Sequence, residues 1–246
     1  GRLEILKLHT KDKPLAGDVD LEQIAKETFG FSGAHLESLC NEAAIFAMRA
    51  NNKQISQKNF IEAIDKVIMG EKLNRKPTEE ERKRIAIHES GHALVSEHFN
   101  PNSVSTITIT SRGQALGYIR QTPDDDIYLY TKQYLESQIA VSLAGAAAEK
   151  ILLGDSSTGA SNDFEQAVNL AKKIIFSGMS ELGVVDKDSL PSEKLHKVIS
   201  DILSTQKSVV EKMIEDKQDV LKLVVDYLME NEKIDGQNFR ELLRKY

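Results

Sequence analysis

Leu36, Leu39, Ala43, Ala44 and Ala47 recur at the intervals that line up apolar side chains on one face of a helix. They predict a helix over 35–50, opened by Ser32 or Gly33 and ended at Asn51-Asn52. An earlier helix starts at Leu21 behind Asp20, which is placed to cap it, and breaks at Phe29-Gly30-Phe31. A third runs over about 56–69 and closes at Gly70. The segment 71–81 is charged, contains Pro77, and reads as a linker running into a cap. From Thr78 the pattern changes: Thr78 with Glu81 makes a capping box for a long helix to about Phe99. Val104-Ser105-Thr106-Ile107-Thr108-Ile109-Thr110 alternates with period two, as a half-buried strand does, and a second short strand is expected over about 115–121. Helical periodicity returns over about 131–153, 163–176, 192–216 and 218–231, with a last short helix from near Asp235. The expected fold is therefore mainly α: a helical unit over 1–72, then a helix-rich domain with a small β-sheet over 73–246.

Composition narrows the class. A chain of 246 residues can form one large domain or two small ones. The net charge of -6 gives no electrostatic reason to expect nucleic acid as a partner. Cys40 is the single cysteine, which rules out an internal disulfide and a multi-thiolate zinc site, and a reducing compartment is the simplest inference. No run of about 18 apolar residues suggests a membrane span, and no signal peptide is evident, so a soluble chain is expected. The start at Gly1 is read as a processing scar on a piece of a longer protein.

The long helix from Thr78 contains His88-Glu89-Ser90-Gly91-His92. Histidines four apart lie on one face, one turn from each other, and both imidazoles can reach one zinc ion. Glu89 follows the first histidine and is angled to the side of the metal, where a carboxylate serves as base rather than as ligand. Two ordinary histidines on an ordinary helix are the bland alternative, but the helical context that this motif needs is present. A catalytic zinc takes a third protein ligand. His98 is too far along the same helix, and a longer three-histidine pattern fails because Val95 stands where glycine is required. Carboxylates are better candidates. In Ser157-Thr158-Gly159-Ala160-Ser161-Asn162-Asp163-Phe164-Glu165, Asn162 with Glu165 resembles a cap and its return partner, and Asp163 falls in the first turn of the next helix. Asp163 is there either as a ligand or as an acid that stabilises the helix dipole.

Taken together, several segments resemble the FtsH family of AAA+ zinc proteases. They are His88-Glu89-Ser90-Gly91-His92-Ala93, Ser111-Arg112-Gly113-Gln114-Ala115-Leu116-Gly117-Tyr118, Leu143-Ala144-Gly145-Ala146-Ala147-Ala148-Glu149, Ser157 to Asp163, and Gly178-Met179-Ser180-Glu181-Leu182-Gly183. Gly1-Arg2-Leu3-Glu4-Ile5-Leu6-Lys7, Gly30-Phe31-Ser32-Gly33-Ala34-His35-Leu36 and Asn41-Glu42-Ala43-Ala44 resemble the small helical lid of that family's ATPase module. The resemblance covers nearly the whole chain. It implies Zn2+ as cofactor, Asp163 as the third ligand beside His88 and His92, and Glu89 as catalytic base. It also implies that Gly33 and Ala34 lie near the adenine of bound nucleotide; a close helix contact is the alternative. An extended polypeptide substrate is expected to add a strand along Gly117, Tyr118 and Ile119 through backbone hydrogen bonds. Glu149 either orients a ligand histidine by accepting its other ring proton or is an exposed helix acid. Ala140, Ala144, Gly145, Ala147 and Ala148 are read as close helix packing.

The chain departs from that family's pattern at several points. There is no Gly-x-x-x-x-Gly-Lys-Ser/Thr loop, so ATP and Mg2+ belong only to a full-length protein, whose upstream ATPase core would supply unfolding. Ser90 stands where the family usually has alanine, Ala146 where arginine is common, and 185–192 is shorter than usual. The resemblance also implies a homohexamer, membrane contact only through upstream helices, and the cytoplasmic face of a bacterial membrane as location. The long C-terminal helices serve either subunit contacts or an internal core. The expected function is that of a zinc endopeptidase degrading unfolded or membrane-extracted proteins; the alternatives are a catalytically silent assembly fragment and a zinc hydrolase for small amides or esters. The intact His-Glu-x-x-His argues against loss of catalysis.

Overall fold

The computed structural model describes residues 1–70, 77–112, 115–121 and 129–245. The boundary expected at 72/73, most of the predicted linker, and Gly113-Gln114 of the strand-like motif lie outside them. The described residues are mainly helical, with ten helices and a three-stranded sheet. They separate into two compact units, one of 1–70 with short stretches near 110–116 and 121, the other of 77–109, 117–120 and 129–245.

In the first unit, α1 (Arg2–Thr10), α2 (Leu21–Glu27), α3 (Gly33–Arg49) and α4 (Gln57–Met69) enclose a core of Leu6, Ile24, Leu36, Leu39, Phe60 and Ile64. Asp20 caps α2 by accepting from Glu22 and Gln23 N–H at 2.9 and 3.0 Å. Ser32 and His35 cap α3 reciprocally. Sequence periodicity did not reveal α1. Its Leu3, Ile5, Leu6 and Leu8 are spread around the helix instead of forming one stripe, and the helix is held by burying Leu6 in this core with Leu3 and Ile5 packed against it.

In the second unit, α5 (Glu79–Phe99) and α6 (Lys132–Leu153) form the central pair. Thr78 and Glu81 cap α5: Thr78 Oγ1 accepts from Glu81 N–H at 3.2 Å, and Glu81 accepts from Thr78 N–H at 2.8 Å. Small residues let the two helices approach. A side chain at Gly91 would come within 2.7 Å of the Ala144 carbonyl oxygen and of Ala148 Cβ. A short 3-10 turn (Thr158–Ala160) leads into α7 (Ser161–Phe176), which returns along α6. The helices α8 (Ser192–Asp216), α9 (Gln218–Asn231) and α10 (Gly236–Leu243) complete the unit. Val210, Ile214, Leu221, Val224 and Leu228 are buried with α5 and α6 residues, so these stripes of α8 and α9 serve an internal core.

The sheet has the order β2 (Tyr118–Gln121), β1 (Val104–Thr108), β3 (Lys233–Asp235), which leaves β2 at an edge. β3 pairs antiparallel with β1, Ile107 opposite Ile234. Three residues are too few to show a period, so β3 was not readable in the sequence. Nor is β1 half-buried as its alternation suggested. Thr106 and Thr108 are buried beside Ile107, because Arg120 donates to Thr106 Oγ1 at 3.2 Å and Thr108 donates to the Glu232 carbonyl at 3.1 Å.

Candidate metal centre

His88 and His92 project from one face of α5, and their rings meet edge to face. Both are oriented by α6. His92 Nδ1 lies 2.7 Å from the Val141 carbonyl oxygen. A carbonyl only accepts, so Nδ1 carries the proton and Nε2 presents a lone pair. His88 Nδ1 donates to Glu149 Oε1 at 2.7 Å. The two Nε2 atoms are then 3.0 Å apart, and Asp163 Oδ2, from the first turn of α7, lies 3.1 and 3.4 Å from them. Among the described residues these three make the one group of metal-ligand side chains that close together.

The spacing can be tested against zinc. Bonds of about 2.05 Å in a tetrahedron place neighbouring donors about 3.3 Å apart. The observed 3.0, 3.1 and 3.4 Å bracket that value. The donor chemistry also fits: two neutral nitrogens with fixed tautomers and one carboxylate, with no thiolate. Without a metal the cluster binds a proton instead. Burial works against a charge on His88, but hydrogen bonds to Asp163 and Glu149 outweigh it and raise its pKa to about 10. Burial likewise opposes the Asp163 charge, and its contacts with the two histidines more than compensate, holding it well below the usual carboxylate range.

Glu149 is only 1% exposed, so it is not an exposed helix acid. Besides His88 it accepts from Arg84 Nη1 at 2.8 Å and from Ser157 N–H at 2.8 Å and Oγ at 3.2 Å. Burial alone would raise its pKa, yet these donors lower it to about 2. Arg84 also donates to Asp155 Oδ1 at 2.8 Å. The network therefore ties α5 and α6 to the loop that delivers Asp163. That loop corrects one expectation: Asn162 is inside α7 rather than capping it with Glu165, and Ser157 caps the 3-10 turn before it.

Glu89 is buried beside the cluster, and burial raises its pKa, partly offset by the nearby His92 and His88. Gly117, just before β2, is built against it. A Cβ there would lie 3.0 Å from Glu89 Cγ, 2.7 Å from Ile85 Cγ2 and 2.9 Å from the Thr108 carbonyl oxygen. Tyr118 and Ile119 follow on the edge strand. Gly33 and Ala34 belong to the other unit, exposed in the first turn of α3. A Cβ at Gly33 would meet nothing within 4 Å, so close helix contact does not explain that glycine.

Four contributors escaped the sequence reading. Arg84 and Val141 gave no motif signal, though Arg84 sits one turn before His88 on the same helix face. Ser157 stands out in the sequence only as part of a small-residue segment. Gly145 reads in the sequence as helix packing, yet a side chain there would lie 2.5 Å from His88 Cε1 and Nε2 and 2.6 Å from His92 Nε2. It is glycine because the imidazoles occupy its side-chain space.

A helix-borne His-Glu-x-x-His with a carboxylate from a following helix defines a metallopeptidase-type centre. The chain belongs to peptidase family M41, whose profile matches residues 75–242. The AAA+ lid domain profile matches residues 18–62. The chain is 39% identical to ATP-dependent zinc metalloprotease FtsH 2 of Thermoanaerobacter sp. (strain X514), over 98% of the chain and 48% of the relative. It is 38% identical to ATP-dependent zinc metalloprotease FtsH 1 of Thermomicrobium roseum, over 98% and 41%. The Helicobacter felis ATP-dependent zinc metalloprotease FtsH is also 38% identical, over 100% and 42%. The chain thus spans less than half the length of these curated relatives. No helix among the described residues is long and apolar enough to cross a membrane.

Proposed function

We propose that this chain is the proteolytic part of an ATP-dependent zinc endopeptidase, with zinc on His88, His92 and Asp163 and Glu89 as general base. The observation that carries the proposal is the set of three donors at 3.0–3.4 Å with the buried Glu89 carboxylate beside it. Zinc in such a site supplies Lewis acidity, acidifying water and polarising a peptide carbonyl. Glu89 accepts the proton of the attacking water and returns it to the amide nitrogen as the C–N bond breaks. Its raised pKa brings it closer to the working pH, which suits both transfers. Glu149 and Val141 hold the histidine tautomers so that both Nε2 atoms face the metal.

An extended polypeptide pairs with the outer edge of β2 near Gly117, Tyr118 and Ile119, which brings its backbone past Glu89 and favours sequence-tolerant cleavage. Unfolded proteins are the substrates this arrangement fits. The lid-like first unit, with Gly33 and Ala34 toward nucleotide, belongs to an ATPase module that delivers them in the full-length, hexameric, membrane-anchored protein, with the protease on the cytoplasmic face. The domain boundary falls near 72/73.

The test compares zinc content and casein cleavage in this chain and in Glu89→Gln. Zinc in both, with cleavage reduced at least about 100-fold in the variant, is expected. Equal cleavage by both refutes Glu89 as base. Zinc in both with cleavage in neither assigns the requirement to the ATPase module.

A further inference from the structure

Beside the metal centre, the antiparallel pair α6 and α7 leaves an open pocket of about 420 Å3. Its nearest lining residues stand one helical turn from site residues on both helices. Gly145 abuts the two histidines; Ser142 and Gln138 lie one and two turns back along the same face of α6 and line the pocket. On α7, Asp163 is followed at the same spacing by Gln166 and then Asn169, which also line it. One helical turn is about 5 Å, so the pocket begins within a residue or two of a bond held at the metal centre.

The lining is mixed. Leu135 and Leu170 are apolar, Gln138, Gln166 and Asn169 bring carboxamides, Ser142 a hydroxyl and Lys173 an ammonium group, and among the described residues no carboxylate lines the pocket. Lys173 Nζ rests 4.2 Å over the Tyr130 ring, which stacks on Tyr134 with centroids 5.2 Å apart. That aromatic shelf holds the cation at the far end of the pocket, and no described carboxylate pairs with it. The aromatic faces are thus engaged with each other and with Lys173, and among the described residues no carboxylate matches its charge.

We infer that this pocket is a substrate subsite that takes an acidic side chain within two residues of the cleaved bond, with Lys173 as its specificity-determining residue. The inference rests on the proposed peptidase reading. A glutamate side chain fits easily in the volume, its carboxylate at Lys173 and its remaining lone pairs on the carboxamides.

The test uses the zinc-loaded chain and a set of peptides of one sequence carrying Glu, Gln, Lys or Phe at each of the two positions on either side of the cleaved bond. Cleavage gives kcat/KM, and fluorescence anisotropy with the Glu89→Gln chain gives affinity where turnover is slow. At one position Glu is expected to exceed Gln roughly three- to fivefold, the scale of one partly solvated ion pair. That preference shrinks at high salt, and Lys173→Ala brings the Glu-to-Gln ratio to about one. Cleavage or binding without a Glu preference, a preference for Phe, or a ratio unchanged by Lys173→Ala overturns the subsite and leaves the peptidase reading intact. Zinc loading with neither cleavage nor binding of any peptide overturns both.

Discussion

Replacing Gly145 with alanine separates metal binding from folding. The new methyl carbon would start 2.5 Å from His88 Cε1 and Nε2 and 2.6 Å from His92 Nε2. Carbon contacts settle at about 3.5–4.0 Å, so the rings must retreat by roughly 1 Å. They have little freedom to do so, because Glu149 and Val141 hold the opposite ring nitrogens at 2.7 Å. Zinc sites tolerate ligand displacements of about 0.2 Å. Losing an outer partner of a ligand already costs about 10- to 100-fold in affinity, so moving two ligands themselves should cost at least about 100-fold. Folding should suffer much less: crowding costs about 1–3 kcal/mol, while alanine in mid-helix recovers about 1 kcal/mol over glycine. Competition with a fluorescent chelator gives the zinc affinity, and thermal unfolding in a chelator gives the stability of the metal-free chain. A Gly145→Ala chain that binds zinc as tightly as the parent would refute the placement of the two imidazoles.

Other outcomes follow from the same geometry. Because His88 keeps its proton up to about pH 10 in the metal-free chain, zinc uptake near pH 7 should release about one proton. Apparent affinity should then rise about tenfold per pH unit up to that point, and calorimetry in buffers of different ionisation enthalpy measures both. The sign is opposite for the metal-free fold. The raised His88 pKa stabilises it fully below about pH 6.5, and that contribution disappears as pH rises through about 10, which melting temperatures in chelator record. Glu149→Ala removes the acceptor of His88, Arg84 and Ser157 together and should weaken zinc about 10- to 100-fold, read by the same chelator competition. Cys40 is fully buried with its thiol pushed up to about 11, chiefly by burial, so a disulfide reagent at pH 8 should label it only as the first unit unfolds.

Much of the helical architecture was legible, because amphipathic runs such as 192–216 and 218–231 bury continuous stripes whose spacing survives in the sequence. Elements defined by distant partners were not. β3 exists because Ile234 pairs with Ile107, and α1 because Leu6 enters a core built by α2, α3 and α4. At the metal centre, the spacing of His88 and His92 is local and could be read directly. Their orientation is not local. The Nδ1 partners come from α6, 49 and 61 residues away, and the donors to Glu149 come from both sides of it. Gly145 shows the same limit: in the sequence it belongs to a small-residue stripe, and only the imidazoles in front of it give it a different purpose.

The central claim is that His88, His92 and Asp163 together hold zinc. Anomalous diffraction above and below the zinc edge, on crystals grown from zinc-loaded protein, tests it most directly. The account predicts one peak within about 2.0–2.2 Å of His88 Nε2, His92 Nε2 and an Asp163 carboxylate oxygen. A peak elsewhere, or one that touches the histidines while Asp163 turns away, would contradict it.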